Sequence, residues 1–184
     1  MEFLHTDRDI AVILKPVGMD SERETPAAIA QALGGQVFPI HRLDQNVGGC
    51  MVYARTRPAA AALSRAVQNG QMKKEYVARV HGTPPESGDW QDLLWKDSAK
   101  NKVFVVKRER KGVKPARLEF TRLSAGETSL VRILLHTGRS HQIRVQFSHA
   151  GYPLAGDAKY GAKEKGSLAL CAHHLELKHP RTGK

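Results

Sequence analysis

The chain has 184 residues, enough to bury one core but too few for two full enzyme domains, so a single catalytic unit over 1–184 is the expectation. Lysine and arginine number 29 against 18 acidic residues, a net charge of +11, which makes a polyanion such as nucleic acid the natural partner. Cys50 and Cys171 are the only cysteines and sit in apolar sequence surroundings, which suggests buried thiols in a reducing, cytoplasmic compartment more than a disulfide framework.

In chain order, the apolar run Ile10 to Leu14 ends at Lys15-Pro16-Val17-Gly18 and predicts a buried strand running into a turn. That run is short and flanked by charge, so neither a signal peptide nor a membrane span is expected. Thr25 and Pro26 predict a helix cap and first turn, Ala27 to Leu33 the helix, and Gly34 its stop. A second helix is opened by Thr56 and Pro58, striped by Ala59, Ala62, Leu63, Ala66 and Val67, and closed by Asn69-Gly70. Between the two lies Asp44, in a polar, glycine-rich loop before the apolar strand Cys50 to Ala54; by itself such an aspartate reads most simply as a turn cap.

Strands are expected at Glu75 to His81, Val103 to Lys107, Arg117 to Leu123 and Leu130 to Leu135. A short amphipathic helix should cover His141 to Ala150, and a last strand Leu168 to Leu177. With no internal repeat, the pattern predicts one α+β domain on a mostly antiparallel sheet flanked by short helices. The stretch Leu135-His136-Thr137-Gly138-Arg139-Ser140-His141-Gln142-Ile143-Arg144 then reads as a strand end, a tight turn and a helix start, where backbone N–H groups and two arginines can converge on an anion. Alternation in the strand after Lys74 sets Tyr76, Ala78 and Val80 on one face, so a plain core tyrosine is a serious alternative to a functional one.

His41-Arg42-Leu43-Asp44 resembles the segment around the catalytic aspartate of the RluA family of pseudouridine synthases, where two variable residues and Thr-Ser-Gly follow; here Val47-Gly48-Gly49 stands in place of Thr-Ser-Gly. Thr137-Gly138-Arg139-Ser140-His141-Gln142-Ile143-Arg144 resembles the family's second hallmark, and Lys74-Glu75-Tyr76 its Lys/Arg-x-Tyr segment. Weaker matches at Ile10 to Gly18, Gly151 to Asp157 and Leu170 to Pro180 extend the resemblance over most of the chain. It implies a pseudouridine-synthase-like fold with an active-site cleft across the sheet, without the N-terminal S4-type module or the apolar tail that many relatives carry.

The resemblance further implies that Asp44 is the catalytic carboxylate, that Arg144 pairs with it and keeps it ionised, and that Tyr76 stacks on the target base. Arg42, His41, Arg139, His141, Gln142, Lys74 and Leu135 would serve substrate and RNA binding. The expected partner is ribosomal or transfer RNA, with no cofactor, no metal and no membrane, and a monomer is the simplest state. One rival is an RNA-binding protein of the same fold that has lost catalysis, using the basic segment Lys107 to Lys114 as a phosphate-binding arm. Another is a metal-dependent hydrolase, suggested by nine histidines, but His173 and His174 are neighbours that would point to opposite faces of a strand, a poor ligand pair.

Overall fold

A strand buried on both faces reads as an unbroken apolar run. The run from Ile10 forms one, β2 (Ile10–Lys15), in the computed structural model, which describes residues 1–164 and 166–184. The chain packs as two units, Met1–Lys74 with Ala172–Lys184, and Glu75–Cys171, the boundaries falling inside two strands.

In the first unit β2 lies between β1 (Glu2–Thr6) and β4 (Gly48–Ala54), antiparallel to both, and the two-residue β3 (Phe38–Pro39) pairs with the end of β4. One face of β2 and β4 gives Ile10, Val52 and Ala54 to a core closed by Ala59 and Leu63 of α2 (Arg57–Gln68) and by Met72. The other face, Ala11, Ile13, Met51 and Tyr53, is also fully buried. Helix α2 begins as its sequence predicts: the Thr56 hydroxyl accepts from Ala59 N–H, and Asn69 closes the last turn. Helix α1 (Glu24–Leu33) does not. It starts before Thr25, whose hydroxyl donates to the Asp20 carbonyl, while the Asp20 carboxylate accepts from the N–H groups of Glu22 and Arg23 ahead of the helix. Helix α1 has no side-chain cap: the Asp20 carboxylate shapes the turn before it, and the Asp20 carbonyl accepts from both the Thr25 N–H and hydroxyl. The C-terminal segment is clipped to the first hairpin by His179 against Asp7 (2.9 Å) and Arg181 against Asp9 (2.6 Å).

The second unit is a sheet in the order β5-β9-β8-β6-β7: β5 (Lys73–His81), β6 (Ser87–Asp97), β7 (Lys102–Val106), β8 (Val113–Ser124) and β9 (Thr128–Leu135). The β6/β7, β6/β8 and β8/β9 pairs are antiparallel. Strand β6 is not anticipated by the sequence, because Gly88, Asp89, Asp92 and Asp97 are residues that strands avoid. Gly88 has a packing reason: a Cβ there would lie 2.4 Å from the Phe120 ring. Phe120 joins Trp90 and Phe147 in an aromatic cluster with centroids 4.5 to 5.3 Å apart. Phe147 belongs to α3 (Gln142–His149), whose Val145 packs with Leu94, Val103, Ala116 and Tyr160 in a second core. The chain returns to the first unit along β10 (Leu170–Glu176). The α+β class and the dominance of antiparallel pairing agree with the sequence reading.

Candidate active site

Asp44 sits, partly buried, in the loop between β3 and β4. The side chains near it are anchors: Leu43 on one side and Val47 on the other are buried. The backbone is tied from outside the loop as well. Ser21 Oγ donates to the Leu43 carbonyl at 2.9 Å and the Tyr53 hydroxyl donates to the Ser21 carbonyl at 2.8 Å. Gly18 and Gln45 exchange two bonds, Gly18 N–H to the Gln45 carbonyl (2.8 Å) and Gln45 Nε2 to the Gly18 carbonyl (2.9 Å). Val47 N–H closes the turn onto the Asp44 carbonyl.

Under this loop lies a buried cation. Lys15 is 2 % exposed, and its Nζ donates to the carbonyls of Pro16, Met19 and Gln45. Burial pushes the Lys15 ammonium below its usual range, opposed by attraction to Asp20 and then to Asp44 and Glu24. Asp44 thus has a lysine cation pulling on it within its own unit. Two glycines after the loop complete the fit. A Cβ on Gly49, at φ +122°, would lie 2.2 Å from the Ala172 carbonyl oxygen, and one on Gly48 would crowd the Lys15 carbonyl at 3.1 Å. Where the family pattern has Thr-Ser, Val47 serves as an apolar anchor and Gly48 as a close backbone contact.

His41 receives the Val52 N–H on Nε2 at 3.3 Å, and its Nδ1 is buried with no hydrogen-bond partner among the described residues. Burial, and secondly the charge of Lys74, push this imidazole down to about 4, so it is neutral near pH 7. Lys74 is itself pushed down by burial. Arg42 is exposed and makes a surface pair with Glu22 at 3.3 Å.

In the second unit Tyr76 is buried on β5, sharing a face with Ala78 and Val80 as the alternation predicts. The turn from β9 to α3 is organised by Gln142. Its Oε1 accepts from Thr137 Oγ1 (2.8 Å) and Arg139 N–H (3.0 Å), and its Nε2 donates to the Arg117 carbonyl (3.1 Å). At 3 % exposure, Gln142 is buried and holds the turn together. Leu135, 9 % exposed, is likewise a core residue by position. Arg139 caps the Pro115 carbonyl through Nε at 2.8 Å. His141 adopts a left-handed conformation at φ 50°, rare outside glycine, and marks the entry to α3.

Arg144 is 8 % exposed and is gripped by Asp157, Nε to Oδ2 at 2.7 Å and Nη2 to Oδ1 at 2.8 Å. Its guanidinium also lies 5.0 Å from the Tyr160 ring centroid. The Tyr160 hydroxyl takes the Val103 N–H and bonds His141 Nδ1, both at 2.8 Å, so His141 and Arg144 are aligned by one tyrosine. The segment bearing Asp157 and Tyr160 is fastened by Glu164, which accepts from Gly156 N–H and pairs with His81, each at 2.7 Å. The Gly156 N–H is the largest of the influences holding the Glu164 carboxyl down at about 2. Lys15, Asp157 and Tyr160 are given no role by the sequence reading, although Lys15 and Asp157 lie in segments it singles out.

Among the described residues, the one group of histidine, cysteine and acidic side chains close enough to share a metal is Asp7, Asp9 and His179. Arg181 already supplies a cation there, and the group works as the C-terminal clip. His173 and His174 are exposed on β10. Among the described residues no helix is long and apolar enough to cross a membrane.

Residues 9–149 match the family model described as RNA pseudouridylate synthase. The chain is 37% identical over 160 residues to an uncharacterized RNA pseudouridine synthase of Chloroflexus aurantiacus, covering 83% of this chain but only half of that protein. It is 32% identical to the dual-specificity RNA pseudouridine synthase RluA of Salmonella typhi, covering 98% of this chain and 88% of that one. Among solved structures, human RNA pseudouridylate synthase domain containing 4 superposes with a TM-score of 0.81 at 23% identity, over 96% of this chain and 84% of the human one.

Proposed function

This chain belongs to the RNA pseudouridylate synthase family, a family of isomerases, and is similar to RluA along nearly its whole length; from that premise we propose that it converts uridines in ribosomal or transfer RNA to pseudouridine, with Asp44 as the catalytic carboxylate. The reaction breaks the bond from C1′ to N1, turns the uracil, joins C1′ to C5, and moves one proton from C5 to N1. Nothing is oxidised or reduced, and no cofactor or metal is required. Asp44 assists either as a nucleophile at C1′, forming an ester that later breaks, or as a base taking the 2′ proton to give a glycal. Arg144 supplies positive charge for the carboxylate and Tyr76 a ring for the extruded uracil, at a cost of extrusion of about a few kcal/mol that stacking offsets. Arg42 and Arg139 meet flanking phosphates, His41, Lys74 and His141 serve RNA binding, and Gln142 and Leu135 act by shaping the turn. Residues 1–184 work as one monomeric catalytic domain in the cytoplasm.

The observation that carries the proposal is the fixing of Asp44: a loop held by main-chain bonds to Ser21, Gly18 and Gln45 over a buried lysine that attracts its carboxylate. A mere turn cap needs no such foundation. The same ties show that the loop is supported without the family's two hydroxyls, which weakens the case for a protein that only binds RNA. In a deletion strain, expression of the wild-type gene should restore pseudouridine at the affected positions, and Asp44→Asn should restore none. Restoration by Asp44→Asn at wild-type level ends the assignment.

A further inference from the structure

One face of the β6–β7–β8 sheet carries the second core, and the opposite face is only partly covered. Trp95 and Phe104 are directly paired across β6 and β7, with ring centroids 6.2 Å apart at 31°. Phe104 is 37% exposed, and Trp95 also pairs with Val113 on β8. Arg110 Cζ lies 4.8 Å from the Trp95 centroid, and Lys102 Nζ lies between two rings, 5.8 Å from the Phe104 centroid and 5.4 Å from that of Tyr160. The stretch from Lys96 to Lys114 holds eight basic residues against two acidic ones, and Lys107, Arg108, Lys111 and Lys114 are exposed on the loop between β7 and β8 and at its edge. Trp90, the other tryptophan, is half-buried and packs against Phe120 and Phe147 away from this face.

Two tilted rings bordered by arginine and lysine on a strongly basic edge are the parts of a single-strand binding surface: flat faces for bases and cations for the backbone between them. We propose that Trp95 and Phe104 form a platform on which an unpaired base of bound RNA stacks, with the Lys107–Lys114 segment gripping the adjoining phosphates. This rests on RNA being the substrate, and it adds a contact that the reaction itself does not need. A stacked base inserts against Trp95 beside Arg110, which is free to turn toward phosphate because its loop is open to solvent. An acidic protein could satisfy the lysines but has no use for two adjacent flat rings, so RNA fits the combination better.

Poly(U), whose bases are largely unstacked, is the probe. Wild-type protein should show tryptophan fluorescence quenching on titration, and Trp95→Phe should bind with unchanged affinity but without that quenching. Trp95→Ala should bind roughly tenfold more weakly with the salt dependence unaltered. Neutralising Lys107, Arg108 and Lys111 with glutamine should reduce the slope of log affinity against log salt by about 2. Heparin, a polyanion without bases, should be insensitive to Trp95→Ala. Quenching that persists in Trp95→Phe, equal poly(U) affinity of wild type and Trp95→Ala, or equal weakening toward heparin overturns the platform. Pseudouridine formation is measured separately: a wild-type protein without it, yet with a working platform, refutes the proposed reaction and leaves the platform standing.

Discussion

The loop that carries Asp44 and the helix start that carries Arg144 are both tied down, but by different kinds of bond. Around Asp44 the ties end on backbone carbonyls: Leu43, Gln45 and Gly18 receive a serine hydroxyl, a lysine ammonium and a glutamine amide. Around Arg144 the ties pass through named side chains, the Asp157 carboxylate, the Tyr160 hydroxyl and the Gln142 amide, which bond other side chains as well as the backbone of Val103, Arg139 and Arg117. A main-chain scaffold is indifferent to which side chain occupies most loop positions, so Val47-Gly48 can stand where relatives have two hydroxyls. A side-chain scaffold has no such tolerance, because each member is needed by name.

The largest effect should come from breaking the side-chain scaffold at its centre. Asp157→Ala leaves the Arg144 guanidinium buried without its bidentate partner, and loss of one member of a buried pair costs about 3–5 kcal/mol. Urea unfolding should show that loss near the top of the range, since both groups are under 10% exposed. Asp157→Asn, which keeps the shape and one acceptor, should lose less stability yet still depress turnover if Arg144 serves Asp44. Equal stability of Asp157→Ala and wild type would show that the turn is held elsewhere. The matching cut on the other side is Lys15→Met. It strips three carbonyls of their donor at roughly 1–3 kcal/mol each, offset by relief of the buried charge, so a net loss of about 3 kcal/mol is expected. Because the loop loosens as a whole, kcat should fall with stability, and an unchanged kcat would show that Asp44 does not depend on its foundation.

How much of the fold and site is legible in the sequence follows the same division. The strands at Ile10, Glu75 and Leu130 and helix α2 are legible because burial and capping leave a local trace: an apolar run, alternation, Thr56 three residues before Ala59. Strand β6 is not, since its glycine and aspartates are answered by partners far away, Phe120 for Gly88 and Gln146 for Asp92. Thr25 looks like a cap, but it lies inside the first turn with its hydroxyl on the Asp20 carbonyl, because the turn that Asp20 builds ahead of the helix has no signature of its own. Asp44 and Arg144 stand out by motif, but their immediate supports do not, because a lysine thirty positions from Gln45 and an aspartate thirteen from Arg144 are joined only by folding. Local pattern identifies the residues offered to a site, and long-range pairing decides what steadies them.

His41 sharpens the comparison most finely, since it adjoins the main-chain scaffold yet titrates. The Val52 N–H occupies Nε2, which places the proton of the neutral ring on the buried Nδ1 and leaves no room for a second without loss of that bond. The folded value of about 4 lies below the ordinary 6.5, so between these two pH values the unfolded chain takes up a proton that the folded chain refuses. Stability is therefore full above 6.5, falls as the pH drops through the window, and levels below about 4. The slope is at most roughly 1.4 kcal/mol per pH unit inside that window, and partial exposure of the residue keeps the whole change to about 2 kcal/mol. The Glu164 clasp titrates lower, from 4.5 down to about 2, so the region above 4.5 reports His41 with little interference from it. Unfolding free energies of wild type and His41→Phe, measured across that region, should diverge in slope: falling with acid in wild type, flatter in the variant. Lys74→Met should narrow the window by removing the like charge that adds to burial, with a smaller change than His41→Phe because Lys74 is the second cause. Parallel profiles for wild type and His41→Phe would mean that the ring is solvated in solution and that the loop holds Asp44 without a neutral histidine behind it.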